Sequence, residues 1–288
     1  MHANRLTLIA AIIAAAVGLA PALAAADPSK CEPDKLAEKY PSLAGKTIKV
    51  GGDPQTPPYV ARDTADFNKV VGFDADLADA VFKCHGIKYE WFLGGWSGIL
   101  PAVVAGQADV FWDNLYYTPE RAKQADFVLY MQAAQGGLVQ SGNPKKINSL
   151  DDICGAAVGI GVGTVEEQMV RKKNDECKAS GKAEINILTY PDVAAGMRLI
   201  SDKRGDLIIL DLTIVDGQAK KDPANFARGF MMLSGFNIGT GVKNGADDLN
   251  KAIFEGMTIM QANGTQAGLM TKYGLDPATI VPAEIKKD

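Results

Sequence analysis

Histidine is nearly missing from this chain: two in 288 residues, His2 and His85. A triad or metal cluster built on imidazole has little to draw on. Cysteine is scarce as well. Cys31, Cys84, Cys154 and Cys177 form no C-x-x-C, which removes the usual zinc and dithiol signatures. There is no basic run and the net charge is −4, which argues against a nucleic-acid surface. Beyond the N-terminus, no stretch is apolar for long enough to cross a bilayer. No metal and no cofactor are expected.

What is present starts with an export signature. Arg5 gives a positive start, Leu6 to Ala20 is an apolar run, and Ala22-Leu23-Ala24 and Ala24-Ala25-Ala26 offer small-x-small cleavage sites. Residues 1–26 thus read as a secretory signal peptide, too short for a membrane span. Removing them takes away Arg5 and no acid, so the remaining chain carries −5. Four cysteines in an exported chain read as two disulfides. Sequence proximity favours Cys154–Cys177 and Cys31–Cys84. His85, beside a glycine at an apparent helix end, reads as structural.

Strand-like and helix-like segments alternate, which indicates an α/β fold with largely parallel sheets. "KTIKV" (46–50), "KYEWF" (88–92), "ADVFW" (108–112), "GAAVGI" (155–160), "INILTY" (185–190) and "DLIIL" (206–210) read as strands. The pattern occurs twice, before residue 135 and after 150. Two apolar, Gly-punctuated runs, 133–140 and 229–239, flank the second half and read as strands crossing between lobes. The expected division is 46–134 plus 238–280 for one lobe, with 140–230 inserted as the other.

Ligands of open parallel sheets bind beyond the carboxyl ends of the strands. That rule selects Asp53, Asp113, Asn114, Thr164 and Asp211. Arg121 joins them from "TPERAKQADF" (118–127). Thr118 reads as an N-cap and Pro119 as the first helical residue, so Arg121 falls in a first turn, where anions rather than cations are favoured. An external anion would account for it. "GIGVGTVEE" (159–167) has Glu166 where a dinucleotide fingerprint needs its third glycine. Its Thr164 and Glu167 form a capping box instead.

Five segments in register, "GFDADLADAVF" (72–82), "WSGILPAVVAGQADV" (96–110), "TPERAKQADF", "GIGVGTVEE" and "RGDLIILD" (204–211), resemble solute-binding protein family 3. These are the periplasmic receptors of amino-acid ABC importers. The resemblance covers about residues 46–275. It implies a two-lobed type II periplasmic-binding fold that closes over an amino acid and hands it to a membrane permease.

Carried over residue by residue, the resemblance makes Arg121 the clamp on the ligand α-carboxylate, with Thr164 donating to the same group. Asp211 takes the α-ammonium, Asp53 lies near it or the side chain, and Trp96 and Thr56 form opposite walls. The sequence departs from the pattern at Trp112-Asp113-Asn114-Leu115-Tyr116, where small or hydroxyl residues are usual. If Asp53, Asp113 and Asp211 all face the cleft, they outnumber Arg121 and favour a cationic ligand, with Trp96 and Tyr116 adding cation–π contact. Two other readings use the same scaffold. One is a cyclohexadienyl-dehydratase-like enzyme with Asp113 or Glu166 as its acid or base. The other is a ligand-sensing receptor subunit.

Overall fold

The computed structural model describes residues 30–287, and the expected signal peptide lies outside them. The first half runs α1 (Leu36–Lys39), β1 (Thr47–Gly52), β2 (Gln55–Thr56), β3 (Val60–Arg62), β4 (Val70–Val71), α2 (Phe73–His85), β5 (Lys88–Leu93), α3 (Trp96–Val104), β6 (Val110–Tyr116), α4 (Pro119–Ala122) and β7 (Ala125–Gln140). The second half runs β8 (Ala157–Gly161), α5 (Val165–Ala179), β9 (Asn186–Tyr190), α6 (Val193–Ser201), β10 (Leu207–Asp211), α7 (Leu212–Lys221) and β11 (Phe226–Lys243). The chain closes with α8 (Asp247–Ala262), α9 (Thr265–Tyr273) and β12 (Ile280–Lys286).

Among the described residues, nine strands make one mixed sheet in the order β5-β1-β6-β11-β7-β10-β8-β9, with β12 also on β7. Each end is a parallel trio. β1 pairs parallel with β5 and β6, and β8 with β9 and β10. Between the trios lie β7 and β11, paired antiparallel along their length, with a register break between Leu233 and Asn237. Residues 125–132 of β7 face 237–243 of β11, and residues 134–140 face 226–233. These are the two long strands that the glycine-punctuated runs predicted.

Strand ends moved where distant pairing acts. The "ADVFW" segment predicts a strand ending at Trp112, yet β6 continues to Tyr116 because Ile238 and Gly239 of β11 pair with Tyr116 and Leu115. Continuous apolar runs such as Leu207–Leu210 are buried throughout, as strands covered on both faces require. Trp112 is fully buried, edge-on to Phe82. α8 packs on α2 and returns the chain's end to its first half. Both disulfides form as expected, Cys31–Cys84 and Cys154–Cys177. His85 is buried edge-on to Tyr40, consistent with a structural role.

Candidate functional site

All six parallel strands deliver residues to one cavity at their carboxyl ends. β1 leads to Asp53 and Thr56, β5 to Trp96 and Ser97, and β6 to Asn114 and Tyr116. β8 leads to the 161–166 segment, β9 to Tyr190–Val193, and β10 to Leu210 and Asp211. Arg121 and Ile214 complete the lining. The cavity encloses about 640 Å³ of atom-free space, part of it open to solvent.

Arg121 is 8% exposed, so it is not a surface arginine leaning into water. Thr118 caps the one-turn helix α4, its hydroxyl accepting from the Arg121 N–H at 3.2 Å. The guanidinium crosses the cavity. Nη1 donates to the Tyr116 carbonyl at 2.6 Å and Nη2 to the Gly163 carbonyl at 3.0 Å, and the group lies 5.0 Å from the Trp96 ring centroid. Burial pushes its pKa down to about 10, the nearby Glu166 opposing that shift. It remains a cation at neutral pH. Two of its five N–H donors are engaged by these carbonyls, which leaves donors for an anion.

The acids divide into two kinds. Asp53 is held by backbone donors: Oδ1 accepts from Gln55 N–H at 2.9 Å and Oδ2 from Trp96 N–H at 3.0 Å. Asp113 is fully buried and absent from the cavity wall. Its carboxyl accepts from Asp53 N–H at 2.8 Å and from the Thr56 hydroxyl at 2.7 Å. The expectation that Asp113 faces the cleft is therefore corrected: it braces the turn that carries Asp53 and Thr56. Thr56 lines the cavity while its hydroxyl faces that brace. Asn114 lines the cavity with φ 46°, a left-handed conformation that asparagine tolerates, and its N–H donates to buried Asp74.

Asp211 ends β10 and caps α7 through Thr213 N–H. Its carboxylate also accepts from the hydroxyls of Tyr59 at 2.9 Å and Tyr116 at 3.0 Å. Burial raises its pKa against these hydrogen bonds, which favour the charged form. Tyr116, expected as a ligand contact in place of a small residue, thus also gives its hydroxyl to the acid expected to take the ammonium. Thr164 caps α5, accepting from Glu167 N–H at 3.1 Å. The returning half of the capping box lands one residue early, with Glu167 Oε2 accepting from Gly163 N–H at 2.7 Å.

Sequence reasoning left several lining residues off its site: Ser97, Glu166, Tyr190 and Asp192. The strand-end rule, applied to "INILTY", reaches Tyr190 and Asp192. Glu166 carries a weaker signal, since it directly follows the capped helix start. Tyr59 could not be found this way, because its partner Asp211 lies 152 residues along the chain.

This chain is 27% identical over 228 residues to the L-cystine-binding protein TcyJ of Escherichia coli, covering 79% of this chain and 82% of that one. It is 26% identical over 249 residues to the lysine/arginine/ornithine-binding periplasmic protein of Escherichia coli, covering 82% and 90%. Among solved structures, an ancestral arginine-binding protein bound to arginine superposes with a TM-score of 0.73 at 30% identity, covering 80% of this chain and 99% of that one. Residues 48–276 match the family model of the bacterial extracellular solute-binding proteins, family 3, and the chain belongs to that family.

Proposed function

We propose that this protein is the periplasmic receptor of an ABC importer and captures an amino acid or amino-acid-like solute carrying extra positive charge. The observation that carries this reading is the composition of the cavity wall. One buried cation, Arg121, shares it with Asp53, Glu166, Asp192 and Asp211. A guanidinium fork suits a carboxylate, and a surplus of acids suits ammonium or guanidinium groups. Glu166 and Asp192, rather than Asp113, supply the surplus of acid on the wall. The arginine, lysine, ornithine and cystine binders among its relatives support an amino-acid ligand.

In this reading residues 46–134 with 238–280 form one lobe and 140–230 the other, with β7 and β11 as the hinge. Arg121 and Tyr116 meet Gly163 and Asp211, contacts that join the two walls and that opening of the lobes would break. The closed form would be what the permease recognises. Residues 1–26 would direct export. The protein is read as a carrier, not an enzyme, because the lining acids are tied to N–H, hydroxyl and amide donors rather than paired with a nucleophile.

The test is a thermal-shift screen against the twenty amino acids, ornithine, cystine and simple amines, followed by calorimetry on the hits. A ligand at 100 times its Kd raises stability by about 2.7 kcal/mol. A rise in melting temperature with cationic amino acids is expected. No shift with any amino acid would reject the reading.

A further inference from the structure

Glu166 is the cavity acid that takes a side-chain amide donor. It sits in the first turn of α5, is 8% exposed, and lines the cavity. Its Oε1 accepts from Nε2 of Gln135. Among the described residues, no cation lies within 4.0 Å of it. The other lining acids, Asp53, Asp192 and Asp211, are held by backbone N–H or hydroxyl donors instead. Gln135 comes from β7, opposite Asp211 in the ladder, and is fully buried. Among the described residues, its Oε1 has no partner.

An isolated buried carboxylate is costly, and it either finds a cation or takes up a proton. An amide is the one neutral side chain that can serve both outcomes. It donates to a carboxylate through nitrogen, or, turned over, accepts from a carboxylic acid through oxygen. A structural acid would be tied down as Asp113 is. Glu166 is instead aimed into the cavity by a residue of the crossing strand.

We infer that Glu166, positioned by Gln135, is a specificity-determining acid that takes an ammonium or guanidinium group of the ligand. This rests on the receptor reading above and adds which residue does the selecting. A consequence follows for protons. Burial raises the Glu166 pKa, while Gln135, its own backbone N–H, Arg121 and the Thr164 hydroxyl oppose that. The other groups facing it across the cavity are the Tyr116 and Tyr190 hydroxyls, and on its own helix Glu167 is engaged by Arg171. A cation arriving at Glu166 favours the charged form, so binding releases whatever proton the empty site holds. Cation binding then strengthens as pH rises toward the raised value of the empty site, and levels off above it.

The test has two arms. In the empty protein, the Glu166 carboxyl carbon is followed by ¹³C NMR, assigned by its loss in Glu166→Gln. A midpoint above about 4.3 is expected, and Gln135→Met should move it higher by removing a donor to the charged form. A midpoint at or below that value overturns the inference. In the second arm, calorimetry with L-arginine, L-lysine, L-ornithine and L-glutamine spans pH 5 to 8 in two buffers of different ionisation heat. A cationic ligand should tighten by up to about tenfold per pH unit below the midpoint while releasing up to one proton. Glutamine should not tighten. Glu166→Gln should weaken the cationic ligand about tenfold or more at pH 8 and flatten its pH profile, with glutamine changed less than about threefold.

Cationic ligands that bind with no pH dependence and ignore Glu166→Gln overturn the inference. Binding of glutamine but of none of the three cationic amino acids overturns it too, and leaves the amino-acid reading standing. Binding of no amino acid in the thermal-shift screen rejects both.

Discussion

Asp113 and Glu166 are buried acids on opposite sides of the same site, and they are built in different ways. Asp113 receives a backbone N–H and a hydroxyl from the turn in front of it, and it stays behind the wall. Glu166 receives the Gln135 amide from across the sheet and stands on the wall. The contrast teaches that the donors around a carboxyl, more than its burial, separate architecture from recognition. Donors from the chain's own backbone fix a turn. A carboxyl on the cavity wall can still meet a ligand.

The largest expected effect tests the recognition side of that contrast. Arg121→Ala should cost about 2–5 kcal/mol of ligand binding, a loss on the order of thirty- to several-thousand-fold, measured by calorimetry with the ligand found in the screen. Lysine should restore only part, because it lacks the fork. Retained affinity within about threefold would remove Arg121 from the site. The Tyr116 and Gly163 carbonyls also lose a donor in this variant, so a modest fall in melting temperature should accompany it.

The next effect tests the architectural side through pH. Asp74 is fully buried, accepting from Asn114 N–H and the Tyr130 hydroxyl, and burial pushes its pKa up to about 7. Its unfolded value is about 3.9. A raised carboxyl adds stability that is full below the unfolded value and is lost as pH rises to the folded one. Denaturant titrations should show stability falling between about pH 4 and 7, by an amount on the order of 4 kcal/mol from this group. Asp74→Asn, which mimics the neutral acid, should flatten that fall. An unchanged slope would mean Asp74 does not titrate there.

Asp113→Ala should lower stability by about 1–3 kcal/mol, since Asp53 N–H loses its buried acceptor. Its affinity, measured where the variant is folded, should fall less than that of Glu166→Gln for a cationic ligand. The reverse order would break the distinction between the two acids. The smallest effect belongs to Tyr116→Phe. It deletes one hydroxyl from Asp211 and should change stability by about 0.5–1.5 kcal/mol. A larger loss would mean that this hydroxyl holds the two walls together.

Local signals carried the sequence reading as far as local forces reach. The Thr118 cap, the Thr164 cap and the apolar strand runs are decided by near neighbours, and the structure has all three. Asp53, Thr164 and Asp211 follow from the strand-end rule and line the cavity. The same rule selected Asp113, but its bracing role escaped the reading because its partners, Asp53 and Thr56, lie 60 and 57 residues away. β6 outran its predicted end because β11, more than a hundred residues later, pairs with it. Glu166 became interpretable only once β7 brought Gln135 beside it. Hydrophobic period cannot encode which distant donor meets a buried acid.

The antiparallel pair at the centre of the sheet has a consequence for biogenesis. As the chain grows from its N-terminus, β6 is complete at residue 116, but its edge stays bare until β11 arrives. β7 likewise waits for β12, and α2 for α8. The first-made third of the molecule is therefore among the last to finish folding. Its open strand edge and uncovered apolar surface are templates for self-association in the interval. A nascent chain released before residue 226 would retain both liabilities, so a chaperone that holds such chains would matter most before the last sixty residues emerge.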